Sequence, residues 1–150
     1  MDMSKVLIVI VLLALGGLAY LASSPGVNYL HGKYTQTPAG SDAAQDAKNE
    51  AGLSKLGGFL MNTWRYKKAN EVMQDAVERY PQGADFWYNK YRMVKCAEKA
   101  ENFKRAVNLL KECIDNDAHS KDPRVPENAN LELRRNKLLE MHGLGEIGRD

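Results

Sequence analysis

The segment KKANEVMQDAVERYP, residues 67–81, restricts the fold more than any other part of the chain. Its spacing reads as a helix, with Ala69, Met73 and Ala76 on one side and Pro81 as the stop. A helix that packs at ordinary distance buries leucine or isoleucine on such a stripe. Two alanines there let a second backbone come close, so this helix must lie against another helix. The question the segment raises is whether that neighbour belongs to a repeated unit.

The rest of the chain supports a helix-on-helix architecture. Of the 150 residues, 44% are hydrophobic and 27% charged, and no stretch alternates convincingly as a strand. The fold class is all-α. Ser41 is placed to cap a helix over 42–62, with Gly52, Gly57 and Gly58 as close-approach points. Further helices are expected over 66–80, 84–97 and 102–115. The last runs over 126–142, with Pro126 in its first turn and Gly143 as its C-terminal cap. The net charge of +2 is too small to suggest nucleic acid as a partner.

Residues 6–22, VLIVIVLLALGGLAYLA, hold no ionisable group except the neutral Tyr20. As a helix they cover roughly 25 Å, close to a bilayer core of about 30 Å, and they outrun the usual apolar segment of a signal peptide. The expectation is a single-pass anchor over 1–24 in contact with lipid through 6–22. Gly16, Gly17 and Ala19 are candidates for close contact with a neighbouring span. Lys5 before the run favours a cytoplasmic N-terminus and an extracytoplasmic body, periplasmic in a bacterium. The alternative is a cleaved signal peptide on a secreted or periplasmic soluble adaptor. Prolines, glycines and small polar residues over 25–40 read as a linker, with Tyr20, Tyr29 and Tyr34 suited to the headgroup level.

Leu53, Leu56, Gly57 and Leu60, followed by Ala69, Met73, Ala76 and Pro81, resemble the pattern of the tetratricopeptide (TPR) repeat. Trp87, Tyr88 and Asn89 then open a second unit, with Trp87 thirty-four residues after Leu53, the repeat length of that family. The resemblance covers about residues 50–115, within a helical domain over 41–150. It implies units over about 50–83 and 84–118, and a final helix over about 126–142 that shields the end of the stack with Leu131, Leu133, Leu138 and Leu139. Tyr66, Ala69, Met73 and Ala76 match Phe103, Ala106, Leu110 and Cys113, each displaced by thirty-seven residues. Three extra residues are therefore expected between the third and fourth helices, within CAEKAEN. Lys90 and Tyr91 stand where leucine and glycine belong.

No catalytic motif is present: there is no nucleophile elbow, phosphate loop or His-Glu pair at metal spacing. Cys96 and Cys113 match no metal spacing, and in an antiparallel hairpin they are offset by about 15 Å, beyond disulfide reach. The chain reads as a non-enzyme without cofactor, metal, small-molecule substrate or nucleic-acid partner. In TPR-like folds the first helices of successive units line a concave face. By that resemblance Met61, Asn62, Asp85, Tyr88, Arg92 and Lys95 are the partner-binding candidates. Tyr88, Arg92 and Lys95 also share one side of their helix, an aromatic beside two cations suited to an acidic peptide or carboxylate. Ser54 and Gly58 stand where the carboxylate-gripping members of the family carry lysine and asparagine, which argues against capture of a C-terminal carboxylate. The chain is similar to single-span TPR proteins that accompany translocons and cytochrome-maturation machinery. The expected function is a membrane-anchored scaffold, an accessory or assembly subunit of a larger membrane protein complex.

Overall fold

The computed structural model describes residues 3–145, apart from the side chains of Leu18 and Leu21. Residues 1, 2 and 146–150, at the outer ends of the expected anchor and helical domain, lie outside the described residues. The chain is all-helical, with eight helices and no strand among the described residues. It forms two compact units that divide after Thr37.

The first unit holds α1 (Met3–Ala22) and α2 (Ser24–Thr35). The apolar side chains of α1 from Leu7 to Leu13, and Leu15, are exposed on every side. Among the described residues, no helix is long and apolar enough to cross a membrane. The expected linker over 25–40 is a helix over most of its length, which corrects the reading from composition. Pro25 sits in the first turn, where its missing N–H costs nothing, and the Ser23 hydroxyl accepts from the Gly26 N–H at 3.4 Å as the N-cap.

The second unit is built from α3 (Ala43–Asn62), α4 (Tyr66–Arg79), α5 (Phe86–Lys99) and α6 (Phe103–Asp115), each packed on the next. The single-turn α7 (Ala118–Lys121) leads to α8 (Asn128–Met141), which packs on α6. Asp42, not Ser41, caps α3: its carboxylate accepts from the N–H groups of Ala44 (2.8 Å) and Gln45 (3.2 Å). At the other end of the unit, Gly143 takes φ +64 just after α8, as a C-terminal cap requires. Leu131 and Leu138 of α8 are buried, whereas Leu133 is 70% exposed and shields nothing.

The alanine stripe explains the packing. Ala69 and Ala76 are buried in α4, and Ala106 and Cys113 are buried in α6. Gly57 lies against Met73, and a Cβ added there would come to 2.5 Å from the Met73 Cγ. Only glycine lets α3 and α4 approach at that point.

Over α5 and α6 the second hairpin matches the first at a displacement of 37 residues, while α3 extends further at its N-terminal end, which corrects the expected site of the insertion. Both turns have three residues, 63–65 and 100–102. In the first, the N–H of Trp64 donates to Met61 and that of Arg65 to Leu60; in the second, Glu101 donates to Glu98 and Asn102 to Ala97. Trp64 and Glu101 both take φ 57. Leu56, Gly57 and Leu60 of α3 thus correspond to Met93, Val94 and Ala97 of α5, all buried. No residue is inserted within CAEKAEN; the extra length lies ahead of Met93, on the N-terminal side of α5. The positions of leucine and glycine fall to Met93 and Val94, not to Lys90 and Tyr91.

Candidate functional site

The N-terminal half of α5 meets α3 and the loop after α7 through a network of charged contacts. α5 lacks a side-chain cap of its own at Asp85. Glu50 of α3 supplies one from the preceding hairpin, accepting from the N–H groups of Ala84 (3.0 Å) and Asp85 (2.9 Å). Glu50 is buried, and Gly83 leaves room for its carboxylate. Burial raises its pKa above the ordinary value of 4.5, although the two backbone N–H groups favour the charged form.

Arg92 lies one helical turn beyond Tyr88 and faces inward. Its guanidinium donates to the Ser54 carbonyl at 3.0 Å, to the Ser54 hydroxyl at 2.8 Å and to the Asn89 side-chain oxygen. Desolvation lowers its pKa, yet it keeps its cation beside the Tyr88 ring, 4.4 Å from the centroid. A second guanidinium, that of Arg124 in the loop after α7, lies 4.5 Å from the same ring. Arg124 pairs with Asp85 at 2.8 Å and with Asp122 at 2.7 Å. Its hydrogen bonds hold the Asp122 carboxyl below the usual range. The cations beside Tyr88 therefore already have acceptors within the chain, and together they join α3, α5 and the loop.

The candidate residues do not form a single cluster. Asp85, Tyr88 and Arg92 meet in this network, while Lys95 is exposed further along α5. Met61 is half-buried and Asn62 exposed, both at the far end of α3. In the first unit Ala19 is exposed, and nothing lies within 4 Å of a Cβ added at Gly16 or Gly17.

Beside the network, Asp46, Glu50, Arg79, Tyr80 and Gly83 line a mostly apolar recess of about 470 Å³. The Tyr80 hydroxyl is buried at this level without a hydrogen-bond partner among the described residues. No group of three or more His, Cys, Asp or Glu side chains gathers to hold a metal among the described residues. Cys96 and Cys113 are free and buried, and burial pushes both thiols up to about 11, far from a reactive thiolate.

Three residues that shape this unit are not legible from spacing. Glu50 and Arg124 act across 34 to 40 residues of sequence, on Ala84 and Asp85 and on Ala84 respectively. Trp64 is the third. In both three-residue turns the middle residue takes the left-handed region, Trp64 in one and Glu101 in the other. Neither is the glycine or asparagine that marks such a position in sequence, and Asn102 in the second turn does not take it, so the sequence carries no signal for Trp64.

Compared with protein-family models, curated proteins and solved structures, the chain matches none.

Proposed function

We propose that this chain is a non-catalytic protein-interaction scaffold, attached to a membrane by α1, whose second unit is a short TPR-like array serving a larger membrane protein complex. The observation that carries this reading is the exposure of α1. From Leu7 to Leu13 and at Leu15, its apolar side chains are between 49% and 71% exposed. A helix that is apolar all round needs a lipid or protein environment. At 20 residues it is about 30 Å long, the thickness of a bilayer core.

The TPR-like description is supported by two successive hairpins with small residues on their contact stripes and by α8 covering α6, while their displacement of 37 residues departs from the 34 of the TPR pattern. In this reading Tyr88 and Lys95 present the partner-binding face, and Arg92 holds that face in shape. The body lies on the extracytoplasmic side. A second reading, the soluble adaptor with a removed N-terminal segment, draws support from the lack of a sufficiently long and apolar helix among the described residues.

Alkaline carbonate extraction of full-length protein from native membranes separates the two. The scaffold stays in the pellet, and a variant lacking residues 1–24 moves to the supernatant. Release of the protein expressed from the full-length sequence, with a mature start near Pro25 on N-terminal sequencing, overturns the anchor in favour of the adaptor.

A further inference from the structure

Trp64 has no packing role in the fold. It is 80% exposed, and its φ of 57 lies in the left-handed region, where a bulky side chain is disfavoured. Glu101 makes the same turn in the second hairpin with a polar side chain suited to water. Phe59, just ahead of the first turn, is exposed as well.

The charge on this hairpin's turn and its flanks is mostly basic. Residues 51–70 include Lys55, Arg65, Lys67 and Lys68 and no acidic residue, and Glu71, next in the chain, pairs with Lys68 at 3.1 Å. Lys55 and Phe59 are both exposed and lie four residues apart, on one side of α3. Lys67 is exposed at the start of α4. Repetition of the hairpin brings the second turn to the same end of the stack, where exposed Lys99 and Lys104 flank the exposed Glu101 and Glu98 pairs with Arg134.

A tryptophan held out on a turn among lysines matches the chemistry of a bilayer interface. The indole settles at headgroup level, the lysine stems reach along it, and the ammonium groups meet lipid phosphates. We propose that this end of the second unit docks on an anionic bilayer surface, with Trp64 and Phe59 entering the headgroup layer and Lys55 and Lys67 on the phosphates. The docking goes beyond the proposed anchor and relies on it only to keep the surface near.

The test uses full-length protein in phosphatidylcholine vesicles, with and without phosphatidylglycerol, and tryptophan quenching by brominated lipid. Trp64→Gly is the companion variant, because glycine takes a positive φ freely and the fold survives the change. Quenching is expected in the anionic vesicles and lost in Trp64→Gly, which leaves only Trp87 to report. Replacing Lys55 and Lys67 together by glutamine is expected to lower the docked-to-free ratio roughly 30-fold. Equal quenching of the wild type and Trp64→Gly overturns the proposal, as does quenching indifferent to phosphatidylglycerol. Capture of an acidic protein through Trp64, with no quenching by anionic vesicles, overturns it in favour of a protein partner. The anchor is read separately: a chain released by carbonate whose Trp64 is still quenched loses the anchor and keeps the docking surface, and a retained chain with unquenched Trp64 does the reverse.

Discussion

The first and second hairpins share a backbone and differ in what they carry. Position for position, Lys55 of α3 corresponds to Arg92 of α5, Trp64 to Glu101, and Glu50 to Trp87. Lys55 is exposed, whereas Arg92 donates into the neighbouring hairpin. Glu50 caps the helix that follows it, while Trp87 lies beneath the Lys121 ammonium, 4.9 Å from its ring centroid. The difference teaches that a helical hairpin fixes its turn and contact stripe through local geometry. The outward and inter-unit positions are left to serve different neighbours.

The sharpest test of that comparison is the Arg92 and Lys55 pair. Arg92→Ala removes a charged donor and leaves the Ser54 and Asn89 acceptors buried, which should cost about 2–3 kcal/mol in urea melts. Lys55→Ala, at the matching exposed position, should change stability by less than about 0.5 kcal/mol. Equal effects would mean that the two hairpins are not distinguished at this position.

Next in size are the contact stripes. Ala69→Leu in the first hairpin and Ala106→Leu in the second should each overpack a buried contact, at about 1–3 kcal/mol. Thermal unfolding measures both, and a neutral result in one hairpin alone would show that its helices can separate where the other's cannot.

The turns should respond with the opposite sign. Trp64→Gly and Glu101→Gly each place glycine at φ 57 and should raise stability by about 1 kcal/mol. A loss at Trp64 would reveal a packing contribution from its indole that its exposure argues against.

The smallest expected effect is the pH dependence set by Glu50. Because burial raises its folded-state pKa, the folded chain holds this proton more tightly than the unfolded chain does. Its contribution is greatest below the ordinary value of 4.5 and declines as pH rises through the window just above it. Glu50→Gln should flatten that part of the stability–pH curve, measured by chemical denaturation across the window. An unchanged slope would show that the two backbone N–H bonds offset the burial.

Local periodicity carried much of the fold. The helices over 66–80 and 102–115, the buried alanines and Gly143 follow from spacing and backbone preference within a few turns of chain, so the sequence by itself determined them. It also showed the apolar run of α1 and the absence of strand patterning. The register of the second hairpin required the tertiary structure, because Trp87 at the family's repeat length obscured a displacement that the paired turns make plain. The composition over 25–40 reads as a linker, and only the Ser23 cap and the helix after it place Pro25 in a first turn. Glu50, Arg92 and Arg124 each have a partner 34 to 40 residues away in sequence. Spacing within a helix shows which face a side chain occupies, but only the packing of α3, α5 and the loop after α7 decides whether its charge meets solvent or a buried acceptor.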